Sequence, residues 1–310
     1  SEMCIRDSGY TPLPLAEQDA FVPQSLVEKW ILYRLNATAK QLDHDMQQRS
    51  FMSATSCVYN FWLYDLCDVY IEAIKPITDA GAEPAARLSA QHTLYACLDA
   101  GLKLLHPFMP FVTEELWHRL PVRPQETCET IAHTRFPPWN PTHDFAAEAA
   151  QFDDVFASVR AVRALAADYG LTSKIQAFVE VQNAESRNVL STQCSVMHTL
   201  IKGCESIVCV SQASEVPAGC VVASVSATIQ VHLLVSGLVD FDQELSKLAK
   251  KLTLNETQLQ RTVALTQKPD WSKTPEDVRA STNQRLDDLE AEKAALLKAQ
   301  ANFESLRSSS

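Results

Sequence analysis

Three groups of side chains in this 310-residue chain are of types that do chemistry. Glu114-Glu115 is a pair of adjacent carboxylates, the raw material of general acid–base work. Nine cysteines, at 4, 57, 67, 97, 128, 194, 204, 209 and 220, could hold a metal or close disulfides. The third group combines cations with flat rings: Arg34, Lys40, Arg49 and Phe51 early in the chain, and Lys247, Lys250, Lys251, Arg261, Lys268, Trp271 and Lys273 near its end. Lysine and arginine hold phosphates, and aromatic faces stack bases, so this combination points to nucleic acid.

Spacing disposes of the first two groups. Glu114 and Glu115 follow Thr113, and a helix starting there explains acidic residues through capping and the helix dipole. His106 precedes Pro107 at an expected helix end and has no second ligand at a useful spacing. No cysteine pair forms C-x-x-C, the count is odd, and several cysteines lie in apolar periodic stretches. Reduced, mostly buried thiols of a cytosolic-type protein are the expectation, rather than zinc or disulfides. No catalytic residue and no metal ligand is therefore assigned.

Seven glycines in 310 residues disfavour a glycine-rich phosphate loop and favour helix. No run of about 18 apolar residues exists to cross a bilayer. Ser1 to Ser8 carries neither a basic nor an apolar leader pattern and is set aside as a candidate sequencing or assembly scar. The formal net charge of −11, if evenly spread, argues against a nucleic-acid partner. It is not evenly spread. From Lys247 to Lys273 six basic residues face two acidic ones, a local charge of +4.

The elements that must position these residues fall into three regions, after an unassigned segment 1–20. Region 21–143 reads as a helix bundle. Ser25-Leu26-Val27-Glu28 is a capping box opening a helix to about Gln48, with Leu26, Trp30, Tyr33 and Ala37 at helical spacing. A second helix, apolar on most sides, runs from about Ser50 to Ile74 and should stop before Pro76. A third spans Pro84 to His106, and a short one Pro110 to Leu120. The proline-rich stretch from Pro121 to Pro141, with Phe136-Pro137-Pro138-Trp139, reads as an ordered strap. Region 144–236 reads as a small α/β domain. Its helix spans about Ala146 to Tyr169, with strands at 175–181, 207–210 and 220–225, a helix near 190–201, and an alternating strand from Ala227 to Val235. Region 237–307 has a coiled-coil period, through Phe241, Leu245, Leu248, Leu252, Asn255 and Leu259, then Leu286, Leu289, Lys293, Leu296, Gln300 and Phe303. The break at Lys268–Pro275 makes this an antiparallel two-helix arm of about 40 Å at 1.5 Å rise per residue.

Three runs carry a family resemblance. Lys29-Trp30-Ile31-Leu32-Tyr33-Arg34-Leu35-Asn36 resembles the W-I-x-x-R-L-N opening of the anticodon-binding domain of class I valyl, isoleucyl and leucyl tRNA synthetases. Asn60 to Glu72 (N-F-W-L-Y-D-L-C-D-V-Y-I-E) is similar to its second helix. Leu104 to Trp117 (L-L-H-P-F-M-P-F-V-T-E-E-L-W) is similar to its L-H-P-F-M-P-F-x-T-E-E-L-W signature. Gly237–Asp240 leading into Glu244–Leu248, and the turn Lys268–Val278, resemble the C-terminal coiled coil of the valyl branch. The second-helix run and Ala167–Thr172 resemble eukaryotic cytosolic members. Nothing resembles the H-I-G-H or K-M-S-K-S motifs. The resemblance thus implies a mainly α, tRNA-binding C-terminal portion, inactive alone, with no cofactor of its own. In the full-length family, ATP and Mg serve a catalytic domain upstream. It further implies valine tRNA as partner, a cytoplasmic setting, and synthetase-complex proteins as further partners. The alternatives are a protein-interaction scaffold and the isoleucyl or leucyl branch.

Within that resemblance Arg34 is the candidate for bonding an anticodon base edge or phosphate, and Phe51 for stacking. An ion pair with Asp65 is the alternative for Arg34, and core packing for Phe51. Lys40 and Arg49 are phosphate candidates or plain surface. Trp30, Trp62 and Tyr70 read as core. The basic arm would meet the tRNA body, with Trp271 stacking on exposed bases. Asn255 on the seam sets register.

Overall fold

The computed structural model describes residues 9–14, 17, 20–78, 81–124, 127–236 and 241–267, together with single helical positions between 279 and 304. Within α1 (Leu26–Gln47) the expected capping box is present. Glu28 Oε2 accepts from the Gln24 and Ser25 amides at 2.8 and 3.2 Å and from Ser89 Oγ at 2.7 Å, so a buried carboxylate closes the helix start and ties it to a neighbour. The helix ends in a Schellman motif. Ser50 N–H donates to Asp45 O at 2.8 Å and Arg49 N–H to Met46 O at 3.1 Å, which satisfies two terminal carbonyls.

The second helix does not stop before Pro76. It runs as α2 (Phe51–Asn60), a π-wound segment Phe61–Ile71, and α3 (Glu72–Thr78), which contains Pro76. The wider π winding turns Phe61, Asp65, Leu66, Val69 and Tyr70 inward together. Tyr70 is fully buried and its hydroxyl donates to Ala90 O at 3.1 Å. Trp62 donates to Gly101 O at 3.3 Å, and a Cβ at Gly101 would lie 3.0 Å from the Trp62 ring, so the glycine makes this close approach feasible. Trp30 and Tyr70 are core as expected, while Trp62 is half-buried.

Then come α4 (Pro84–Leu105) and α5 (Pro110–Trp117). The capping role expected of Thr113 is wrong. The helix starts three residues earlier at Pro110, and the buried Thr113 hydroxyl donates back to Met109 O at 2.8 Å. Glu114 and Glu115 lie inside the helix. Glu114 accepts from Thr130 Oγ1 at 2.7 Å and the Ile131 amide at 3.2 Å, while Glu115 pairs with Arg119 at 2.7 Å. The proline-rich strap is pinned at several points. Tyr95 donates to Pro121 O at 2.9 Å, and Asn36 exchanges hydrogen bonds of 2.8 and 2.6 Å with the Asn140 backbone.

A long helix, α6 (Ala146–Asp168), packs on both α1 and the sheet. Trp30 tilts against Phe152 at 5.0 Å and donates to Asp153 Oδ1 at 2.9 Å. The sheet follows: β1 (Ile175–Val181), α7 (Ala184–Thr192), α8 (Cys194–Leu200), β2 (Cys204–Val210), β3 (Cys220–Ser224) and β4 (Ile229–Leu234). Strand order is β2-β1-β4-β3, with β1 parallel to β2 and antiparallel to β4. The single helix expected near 190–201 is therefore two, broken at Gln193. The burial of β1 alternates residue by residue, which puts Ile175, Ala177, Val179 and Val181 in the core. The architecture is mainly helical with a small four-stranded sheet. After the sheet, α9 (Phe241–Thr266) carries a buried Asn255 whose Nδ2 donates to Leu289 O at 3.3 Å, and Glu256 pairs with Lys293 at 2.8 Å.

Candidate nucleic-acid interface

Arg34 lies on α1 facing the π segment. Its Nε and one terminal nitrogen donate to Asp65 at 3.0 and 3.3 Å, the ion pair that was the alternative to RNA contact. Burial works against the guanidinium charge, but Asp65, helped by Asp153, more than offsets it, and the Arg34 pKa is raised. Asp65 is raised as well. Burial dominates there, and Arg34 offsets it only in part. The two directions differ: the pair favours the Arg34 charge on balance, while burial of Asp65 outweighs what Arg34 returns to it, and the two hydrogen bonds are what hold the cation in place. The Arg34 side chain is still 41% exposed, so the head is fixed yet reachable.

Phe51 is 56% exposed at the first position of α2, so the core-packing alternative does not hold. Beside it, Arg49 has φ of 59°, in the left-handed region, at the position after the Schellman cap where glycine is the usual choice. A residue with a Cβ there costs about 1–2 kcal/mol against a right-handed conformation. Further along the same helix Tyr59 and Tyr64, 57% and 53% exposed, meet edge to face at 6.0 Å. Sequence reasoning passed over both, because in a mostly apolar stretch an outward tyrosine looks like an inward one.

Lys40 is not brought together with Arg34. Six residues along a helix separate them by about 9 Å and about 120° around the axis. Lys40 turns to the strap, where its Nζ sits 5.8 Å from the centre of the Trp139 ring. Beneath lies a groove of about 570 Å³ between α1, α4 and the strap, lined by Asn36, Lys103, Arg135, Phe136 and Trp139 among others. Trp139 and Arg135 were missed because the proline-rich composition spoke only of a strap, not of which face it shows.

On α9, Lys250, Lys251 and Arg261 are exposed. Lys247 belongs to the same helix, but its side chain, like Lys268, Trp271 and Lys273, lies outside the described residues. Among the described residues no group of three or more His, Cys, Asp or Glu side chains forms a metal site. The cysteines are less buried than expected. Cys97 is buried, Cys67 is exposed, and Cys57, Cys128, Cys194, Cys204, Cys209 and Cys220 are half-buried; Cys4 lies outside the described residues.

Residues 28–181 match the family described as the anticodon-binding domain of tRNA ligase. That stretch covers the bundle, the strap, α6 and β1. The chain is 40% identical over 229 residues to the mitochondrial valine–tRNA ligase of Saccharomyces cerevisiae, covering 74% of this chain and 21% of the relative. It is 35% identical over 305 residues to the valine–tRNA ligase of Rattus norvegicus, covering 96% of this chain and 24% of that protein. The Homo sapiens valine–tRNA ligase matches with the same identity and the same coverage. The chain thus spans about a quarter of the length of these curated relatives.

Proposed function

Because the chain belongs to the valine–tRNA ligase family and carries its anticodon-binding domain, we propose that it is the C-terminal, tRNA-binding portion of such a ligase. In this reading it holds valine tRNA so that an upstream catalytic domain, served by ATP and Mg, joins valine to the 3′ end. The bundle (21–143) takes the anticodon stem-loop, 144–236 is a small α/β domain, and 237–307 is an antiparallel coiled-coil arm against the tRNA body; 1–20 stays unassigned. Contacts from Asn255 to Leu289 and from Glu256 to Lys293 support an arm folded back on itself. The proposed setting is the cytoplasm.

The observation that carries the reading is the family match over 28–181. Its residues divide by task. Phe51 stacks a loop base, and Arg34, steadied by Asp65, offers its remaining donors to a base edge. Arg49 and Lys40 neutralise phosphate, with Trp139 as a second stacking surface. Lys247, Lys250, Lys251, Arg261, Lys268 and Lys273 supply the arm's charge, with Trp271 available to stack. The competing reading, a scaffold docking protein partners within a synthetase assembly, draws on the acidic total of −11. Filter binding of valine tRNA across a salt series separates the two. Affinity falling steeply with salt, and weakened by Arg34→Ala, supports the first reading. Failure to prefer tRNA at any salt supports the scaffold, and equal competition by isoleucine tRNA points to a sister branch.

A further inference from the structure

At the joint between bundle and sheet lies a feature that RNA binding does not use. Helix α8 packs on β2 on one side and on α3 of the bundle on the other. Its first residue, Cys194, has its Sγ 3.8 Å from the Sγ of Cys209 on β2. Both thiols are half-buried, so a small reagent can reach them. We propose that Cys194 and Cys209 form a dithiol that closes to an intramolecular disulfide by exchange with a small disulfide such as oxidised glutathione, stapling α8 to the edge strand.

The distance favours this chemistry. A disulfide bond is about 2.0 Å long, so the two sulfurs must close by about 1.8 Å, within reach of a side-chain rotation. The two thiols are also electronically unequal. The two sulfurs share a hydrogen bond in which either can donate; with the thiolate on Cys194 that bond draws its pKa down, while the same bond, with burial, pushes Cys209 up. In the order proposed, Cys194 attacks and Cys209 resolves, and the Cys209→Ser variant below tests that order. In the first step the Cys194 thiolate attacks one sulfur of oxidised glutathione. A mixed disulfide forms, the glutathione S–S bond breaks, and one glutathione thiolate leaves. In the second, Cys209 loses its proton to water and attacks Cys194 Sγ, which expels the second glutathione. The protein loses two hydrogens overall, and one oxidised glutathione becomes two reduced ones.

The test equilibrates the full chain in glutathione buffers of rising oxidised fraction, quenches by alkylation, and digests with trypsin and a glutamate-specific protease. Cleavage after Arg187, Lys202, Glu205 and Glu215 isolates Cys194 in peptide 188–202 and Cys209 in peptide 206–215. The expected result is a cross-link between these peptides that a dithiol reverses, with a rise of several degrees in the Tm of the oxidised chain. In Cys209→Ser, Cys194 should instead accumulate as the glutathione mixed disulfide. The exposed Cys67 reports that the oxidant is active. Glutathionylation of Cys67 with no cross-link at any ratio, or a Cys209→Ser chain whose Cys194 does not react, would overturn the proposal.

Discussion

Arg49→Gly separates stability from binding at one position. The arginine holds φ of 59° at the turn between α1 and α2, which costs about 1–2 kcal/mol relative to a right-handed residue. Glycine removes that cost but adds about 0.5–1 kcal/mol of chain entropy on folding. The backbone bonds from Arg49 N–H to Met46 O and from Ser50 N–H to Asp45 O are untouched by the change. The net expectation is a chain about 0.5–1 kcal/mol more stable in urea unfolding. The same change removes a cation two residues from Phe51. In filter binding with valine tRNA, the slope of log affinity against log salt should shrink by about 0.7–1, one phosphate contact. Arg49→Asn is the control, since asparagine tolerates the left-handed region without the charge, and it should lose the same slope. If Arg49→Gly gains stability while affinity and slope stay as they were, Arg49 is only a turn residue. If it loses stability, the strain argument itself is wrong.

Three further perturbations probe packing elsewhere in the fold. Gly203→Ala should destabilise the sheet by well over 1 kcal/mol, because Gly203 has φ of 78° and a Cβ there would sit 2.3 Å from Thr172 O; an unchanged Tm would contradict this. Asp99→Asn should cost about 3 kcal/mol in urea unfolding, since it leaves the buried Arg123 guanidinium, 3.0 Å away, without its counter-charge. Burial pushes the Asp99 carboxyl up, but Lys103 and Arg123 more than offset it and hold its pKa below the usual value. Its contribution is thus complete above pH ~4 and fades as pH falls below that, and Asp99→Asn should flatten stability in that acid range. His92 accepts from or donates to Tyr10 at 2.7 Å, and burial holds its pKa below the ordinary 6.5. Charging it is therefore costlier in the folded chain, so the wild type should lose Tm as pH drops through about 6.5; His92→Gln should lose less.

The order and extent of most helices were legible because several start with a recognisable signal, such as Ser25 with Glu28, or Pro84. What stayed hidden depends on partners distant in sequence. Pro76 reads as a stop, yet the helix continues through it to Thr78. Thr113 and Glu114 look like a helix start, and only the position of Thr130, sixteen residues on, shows what Glu114 holds. Arg34 and Phe51 were identifiable as types. The Asp65 clamp on the first was an expected alternative and is present at 3.0 Å, whereas the outward turn of the second is not written in local periodicity. The groove wall formed by Trp139 depends on Asn36 gripping Asn140 from 104 residues away.

The central claim, that this chain reads the anticodon of a valine tRNA, is met most directly by one competition experiment. The chain is bound to labelled valine tRNA and challenged with unlabelled valine tRNA or with the same molecule carrying exchanged anticodon bases. Loss of a specific base contact is worth about 1–3 kcal/mol, so the altered tRNA should compete about fivefold less well or worse. Equal competition by the two would contradict the account.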